Sequence, residues 1–510
     1  MIINSKQSNF KIDTIANLVS RFWAMLLAIA LVPFYVSYLG VESYGLVGLL
    51  GTLQAISNLL DLGIGATLNR EMARLSAIEG NEPEQRNLLR TLEIIYWGLA
   101  AVIAAVTMLV APVIATKWVN PVTLSAGEVT NSFRLMGLCV ALQFLFGFYQ
   151  GGLMGLQRQV LVNWILVLIS TIRAVGAVLV LLFISRSIEV FFLWQIIPVA
   201  MGALVTSWYL WQAIQHDSRS RFSLPALKSI WKFASGWTIY SLFNAMYAQA
   251  DMIILSKLLP LKYLGYYTLG RTMVQPLSAV AAAVAASALP RFNQLVKLGN
   301  TSELSAMYHK SSQFLTVMLI PMSVIISLYS WDILFLWTHD VTISNNAHLI
   351  LSFLVLGACL NGVLWIPGYI QSAHSFFKLM IGSLIVLNIF YVPLLVWMVH
   401  AYKANGAALS WAIVNFCYLF SVPLMHRYFL REEFVNWLLR DLTIPAAIAV
   451  MCGLALKTLL PQPTDNAVRL VVIAVTCCVV TFGTACTLGY VRPLLRMRFL
   501  INKEPKSARS

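Results

Sequence analysis

Fourteen apolar stretches, each about as long as a bilayer is thick, recur along the chain from Ile12 to Tyr490. Their approximate limits are 12–38, 43–65, 93–116, 132–155, 161–184, 188–213, 234–259, 263–289, 311–331, 346–372, 379–399, 404–425, 442–460 and 468–490. A backbone inside hydrocarbon must satisfy its own hydrogen bonds, so stretches of this length are helices. The pattern predicts an all-α polytopic membrane protein with about 14 transmembrane helices. The four longer loops on one side, 66–92, 214–233, 290–310 and 426–441, mix basic and apolar residues. The largest is expected to form a short amphipathic surface helix and a turn.

Polar residues interrupt several spans at helical spacing. Thr14, Asn17 and Arg21 share a face of the first span, and Gln54, Asn58 and Asp61 a face of the second. Tyr240, Asn244, Tyr247 and Asp251 do so in the seventh, and Tyr267, Arg271 and Gln275 in the eighth. Arg173 falls near the middle of the fifth. At 1.5 Å per residue, Arg21 and Asp61 lie about 13 and 8 Å from one end of their helices, and Asp251 and Arg271 about 12 Å from the other. Each half of the membrane could hold one opposite-charge pair. Two readings follow: permanent pairs that neutralise each other and tie helices together, or groups facing a wet cleft, with the arginines meeting an anionic ligand and the aspartates acting in gating or ion coupling. Asn17, Asn58, Asn244 and Gln249 also suit hydrogen bonding between helices.

The same helices carry the stripes in both halves of the chain, and local motifs recur with them. Leu39-Gly40-Val41-Glu42-Ser43-Tyr44-Gly45 corresponds to Leu259-Pro260-Leu261-Lys262-Tyr263-Leu264-Gly265. Thr67-Leu68-Asn69-Arg70 corresponds to Ala288-Leu289-Pro290-Arg291, and the stretch from Gly152 to Arg158 to that from Gly368 to His374. Spans 1–6 and 7–12 therefore read as two six-helix repeats. Six is even, so both copies have the same orientation about an axis along the membrane normal. The expected organisation is a first lobe over 1–213, a second over 214–426, and two extra helices with a basic tail over 427–510.

Composition agrees: of 510 residues 59% are hydrophobic and 11% charged, with mean hydropathy +0.78, against roughly 25% charged in a soluble domain. The net charge of +15 is unevenly placed. Of 35 Lys and Arg, 24 fall in the two tails and the loops between even and odd spans, and 7 in the opposite loops. Four (Arg21, Arg134, Arg173, Arg271) lie within spans. Both termini should face the cytoplasm. Basic residues in short juxtamembrane loops suit anionic lipid headgroups and not nucleic acid. The seven cysteines all fall within spans without a CxxC pair, so they read as small packing residues. Gly147, Gly151 and Gly155 make two GxxxG steps on span four, a close-packing stripe. Pro33, Pro198, Pro276, Pro321, Pro367, Pro393 and Pro423 interrupt spans and allow bending. No P-loop appears and the seven histidines lie singly, so ATP hydrolysis and metal catalysis have no visible machinery, and no enzyme activity or cofactor is expected.

The Leu-Gly-x-x-x-Tyr-Gly stretch at 39–45, the Asp61-Leu62-Gly63-Ile64-Gly65 close of span two with Asn69-Arg70, and Gln150-Gly151-Gly152-Leu153 with Gln157-Arg158 together resemble the polysaccharide transporters of the multidrug/oligosaccharidyl-lipid/polysaccharide exporter superfamily, the O-antigen (Wzx-type) flippases. The likeness extends over the whole chain. It implies two MATE-like six-helix lobes plus two C-terminal helices in a bacterial inner membrane. Alternating access would move a polyprenyl-pyrophosphate-linked oligosaccharide between leaflets for O-antigen, capsule or exopolysaccharide synthesis. Membrane lipids, a polysaccharide polymerase and a chain-length regulator are the further partners it implies. Under it, Asn17, Arg21, Asn58, Arg173, Asn244, Arg271 and Gln275 become substrate-binding candidates, and Asp61 and Asp251 candidates for gating or for coupling to an H+ or Na+ gradient. The alternatives are a cation-coupled multidrug exporter of the same fold and a scaffold subunit of an envelope assembly. A multidrug exporter would want a net negative cavity, whereas here the intramembrane arginines at least match the aspartates.

Overall fold

The structure is a computed structural model that describes residues 10–489 except 62, 79, 215–221, 223 and 461–464; side chains are also left undescribed at 10, 11, 14, 224–240 and 377. Residues 215–221 and 223 of the expected 214–233 loop, both tails, and the side chains of Thr14 and Tyr240 thus lie outside the described residues, while the later part of that loop, from 224, is the helical start of α7.

The helices in chain order are α1 (Phe10–Leu59), α2 (Ile64–Ser76), α3 (Glu82–Val113), α4 (Ala126–Gly155), α5 (Gln159–Phe183), α6 (Ile188–Ala213), α7 (Leu224–Leu258), α8 (Leu261–Leu298) and α9 (Thr301–Leu328). There follow α10 (Ser330–Thr338), α11 (Val341–Val363), α12 (Trp365–Ala373), α13 (Phe377–Tyr418), α14 (Val422–Phe429), α15 (Glu433–Asn436), α16 (Ile444–Leu459) and α17 (Asn466–Cys486). Among the described residues eleven helical segments are long and apolar enough to cross a membrane. Two of these are double. α1 has 50 residues, about 75 Å against a hydrocarbon core of about 30 Å, and breaks at Gly40 (φ 79°), where only a glycine is unstrained. α13 breaks at Lys403, and the Tyr391 and Trp411 rings stand 6.2 Å apart, whereas twenty residues of straight helix would part them by about 30 Å. With α7 as a further crossing, the count reaches the predicted fourteen.

Pro33, Pro198, Pro276, Pro321 and Pro393 sit inside helices that do not break at the proline. The breaks fall instead at a glycine and at a loop lysine, because neighbouring groups can re-satisfy a freed carbonyl.

Two compact units emerge, Met1–Thr268 and Leu269–Ser510. In the first, α4 packs against α3, α6, α2 and α1, while α1 also lies along α5. In the second, α11 lies against α13 and α9, and the paired α16 and α17 seat on α9. Ile320, Ile325, Tyr329, Ala449, Val472 and Val480 form the core of that seat.

The predicted surface helix is α2, with Ile64, Leu68, Met72 and Leu75 buried on one face. Burial raises the pKa of Glu71, but hydrogen bonds and charge from Arg74 and Arg70 outweigh it and hold the carboxyl below its usual value. The glycine stripe of α4 receives this helix. A Cβ on Gly155 would lie 2.5 Å from the Asn69 carbonyl oxygen and 2.8 Å from Met72 Cβ, and one on Gly151 would lie 3.5 Å from the Gly65 carbonyl oxygen. Gly147, at the same spacing, has nothing within 4 Å.

Candidate functional site

The first half of α1 is tied to α5 by polar side chains. Asn163 Nδ2 donates to Asn17 Oδ1 at 3.1 Å, Ser20 Oγ to Asn163 Oδ1 at 2.7 Å, Trp23 Nε1 to Thr171 Oγ1 at 2.8 Å, and Tyr35 Oη to the Ala174 carbonyl at 2.7 Å. Asn17 is thus committed to an interhelical bond. Arg21 is not: it is exposed and makes no hydrogen bond or ion pair with any described residue. A guanidinium facing hydrocarbon would be costly, so this edge of α1 faces water or headgroups.

Asp61 does not pair with Arg21. It sits in the turn between α1 and α2, where its carboxylate accepts the Gly65 N–H at 3.0 Å and the Tyr96 hydroxyl from α3. The glycines of the Asp61–Gly65 motif follow from this. Gly63 has φ 77° as the residue before α2, and a Cβ on Gly65 would press at 3.1 Å on both Asp61 Oδ1 and Tyr96 Oη. Asp61 therefore holds the start of α2.

On α7, Asn244 is exposed, and Gln249 Oε1 accepts from Thr52 Oγ1 at 3.2 Å. Asp251, 5% exposed, accepts the Tyr267 hydroxyl at 2.6 Å. Asn58 on α1 and Gln275 on α8 are exposed, and Arg271 on α8 is half-buried. Half-buried Arg173 donates from Nε to Gln195 Oε1 on α6. The sequence candidates thus divide. Asn17, Asp61, Arg173 and Asp251 are engaged with protein neighbours, whereas Arg21, Asn58, Asn244 and Gln275 present exposed side chains.

The recurring turn motifs meet within the first unit. A Cβ on Gly45 would lie 2.7 Å from the Leu261 carbonyl and 3.1 Å from the Gly265 nitrogen, so both glycines permit a backbone approach that any side chain would block. The Leu261 N–H donates to the Asn120 carbonyl at 2.9 Å, Asn120 Nδ2 to the Lys257 carbonyl at 2.9 Å, and Trp118 Nε1 to Ser256 Oγ at 3.0 Å. Glu42, from the first motif, accepts the Val122 and Thr123 N–H groups at 2.5 and 2.9 Å and Thr123 Oγ1 at 2.5 Å. This loop end of the unit is closed by backbone contact and a buried carboxylate.

Sequence reasoning missed three groups. Span three, to which the sequence assigned no polar stripe, carries Tyr96 and Glu93; Glu93 accepts from Tyr149 Oη at 2.7 Å, Trp211 Nε1 at 3.2 Å and Arg90 Nη1 at 2.9 Å. Asn163 stands alone in the apolar run of span five and belongs to no stripe. His309, isolated in the sequence, is held between Asp441 (2.5 Å) and Glu433 (3.0 Å), with Gln313 Nε2 donating to Asp441 at 2.8 Å. For Glu93 and Asn163 the advance signal was a carboxylate or amide in an apolar run; their partners other than Arg90, and those of His309, lie more than fifty residues away, apart from the local carbonyl that Asn163 also meets.

Residues 11–296 match the family described as polysaccharide biosynthesis protein. The chain belongs to this family. The matched stretch contains all nine candidate residues named from the sequence. A putative O-antigen transporter of Shigella flexneri is 22% identical over 403 residues, 79% of this chain and 94% of that protein. Among solved structures, the lipid II flippase MurJ in an inward closed conformation superimposes with a TM-score of 0.74 at 13% identity, over 95% of this chain and 99% of its own. The MATE multidrug transporter DinF-BH gives 0.60 at 14% identity, over 86% and 100%. The chain therefore has the multi-helix membrane fold of these two structures, as expected from the sequence.

Proposed function

We propose that this protein is a flippase that carries a polyprenyl-pyrophosphate-linked oligosaccharide from the cytoplasmic to the periplasmic leaflet of a bacterial inner membrane, with both termini cytoplasmic, by alternating access of two six-helix lobes over 1–213 and 214–426. The observation that carries the reading is the family match, which spans the helices bearing the polar stripes. The similarity to a putative O-antigen transporter supports the choice of cargo class.

Arg21 supports an anionic cargo. An exposed guanidinium with no partner among the described residues can take a pyrophosphate in a two-bond fork. Asn58, Asn244 and Gln275 supply donors and acceptors suited to sugar hydroxyls. Arg173 and Arg271 complete the basic set, and Asp251 is the candidate site for coupling to an H+ or Na+ gradient. The Gly45–Gly265 contact and the Glu42-held loop would close the periplasmic end while cargo loads from the cytoplasm. The polymerase and chain-length regulator would act on the delivered unit.

The test is a deletion strain complemented with Arg21→Ala. Surface glycan should fall to the deletion level, at normal protein abundance, while lipid-linked repeat units accumulate facing the cytoplasm. Undiminished export by Arg21→Ala would remove the arginine from cargo binding, and undiminished export by the deletion strain would remove the function.

A further inference from the structure

The helix formed by the end of α13, the 3₁₀ turn Leu419–Ser421 and α14 carries an apolar stripe that ends in two arginines. Phe416, Phe420, Leu424 and Tyr428 recur every fourth residue and are 53%, 71%, 43% and 60% exposed, which puts them on one face. In a membrane protein such a face meets acyl chains. At its end, Arg427 and Arg431 join Leu424 and Tyr428 in lining a cavity of about 670 Å³. Both arginines are exposed, and neither makes a hydrogen bond, ion pair or ring contact with a described residue.

The neighbouring carboxylates do not neutralise them. Glu433 is occupied by His309, Ser305 and Asn436, and no ion pair among the described residues joins Glu432 to either arginine. The lining Tyr428 is anchored from behind: Phe376 packs on it at 5.5 Å and on Phe429 at 5.6 Å, and His374 stacks on Phe429 at 4.2 Å. A tyrosine held at the junction of an apolar stripe and a pair of cations marks the level of lipid headgroups.

We propose that this cavity binds the phosphate of an anionic glycerophospholipid, with Arg427 and Arg431 on the headgroup and an acyl chain along Phe416, Phe420 and Leu424. Two uncompensated guanidinium groups favour a phosphate carrying net negative charge and disfavour a choline headgroup, whose cation they would repel. The apolar stripe running into the cavity favours a lipid over free phosphate, which would gain nothing from it. Under the orientation proposed above the lipid would belong to the cytoplasmic leaflet, and only that placement rests on the proposed function; the binding assay requires no transport, so the two can fail separately.

Delipidated full-length protein in detergent would be titrated with phosphatidylglycerol, phosphatidylcholine and inorganic phosphate, and bound molecules counted by native mass spectrometry. Phosphatidylglycerol should be retained over phosphatidylcholine. The Arg427→Gln/Arg431→Gln variant should lose about thirtyfold in affinity, roughly a factor of five per arginine, while eluting as a single species. Arg427→Lys/Arg431→Lys should regain most of that loss, and Arg440→Gln, an exposed arginine outside the cavity, should match the parent. Equal retention of phosphatidylglycerol by the double Gln variant would overturn the site. Equal retention of the two lipids would overturn its preference for an anion, and displacement of phosphatidylglycerol by millimolar phosphate would overturn the lipid in favour of a free anion.

Discussion

The three glycines at 147, 151 and 155 share one spacing in sequence and differ in what stands over them. Gly147→Ala meets open space, Gly151→Ala makes ordinary contact at 3.5 Å, and Gly155→Ala drives a Cβ to 2.5 Å from a backbone carbonyl and 2.8 Å from Met72 Cβ. Replacing a helix-interior glycine by alanine stabilises by about 0.5–1 kcal/mol when nothing is in the way. At 155 the obstacle is the backbone of α2, which cannot rotate aside. Overpacking of this kind costs about 1–3 kcal/mol, and the helix-end position forfeits most of the propensity gain. If α2 lifted away altogether, Leu68, Met72 and Leu75 would be uncovered at about 1.5–3 kcal/mol each, so α2 should shift rather than detach. Thermal unfolding in detergent should rank Gly147→Ala at or above the parent, Gly151→Ala near it, and Gly155→Ala lower by several degrees, at about 2 °C per kcal/mol for a cooperative unit of this size. A Gly155→Ala protein as stable as Gly147→Ala would refute the docking of α2 on this stripe.

Tyr96→Phe removes the hydroxyl that Asp61 accepts and should cost about 1–3 kcal/mol; hydrogen exchange at the start of α2 should accelerate, and unchanged exchange would show that Tyr96 does not hold this turn. Glu42→Gln keeps the shape but weakens charge-assisted bonds to Val122 and Thr123, worth about 1.5–3 kcal/mol each, so proteolysis near residues 119–125 should increase while the rest of the chain stays protected. His309→Leu leaves the carboxylate of Asp441, which is 1% exposed, with Gln313 but without the histidine ring, and should destabilise by about 1–3 kcal/mol. Adding Asp441→Leu should recover part of that loss, and strictly additive costs would show that the two side chains are not coupled.

Helices, their number and their polar faces were legible because a backbone in hydrocarbon has few options and a 3.6-residue period is local. The surface helix α2 was legible for the same reason, from its alternation of basic and apolar residues between Arg70 and Leu75. The family motifs were visible as strings, but their purposes were not. Nothing in Asp61-Leu62-Gly63-Ile64-Gly65 says that Tyr96, 35 residues on, will occupy the space a side chain at Gly65 would need.

Local periodicity alone determined that this is a membrane protein of about fourteen crossings with polar stripes on several helices. Only the tertiary structure decided which stripe residues are spent on neighbours and which remain exposed: Asn17 went to Asn163 and Arg173 to Gln195, while Arg21 has an exposed side chain with no partner among the described residues. The physical reason is that a side chain's partner depends on which helix packs against its face and at what height. Crossings from 22 to 146 residues apart in the chain set that choice, and a one-dimensional pattern does not encode it.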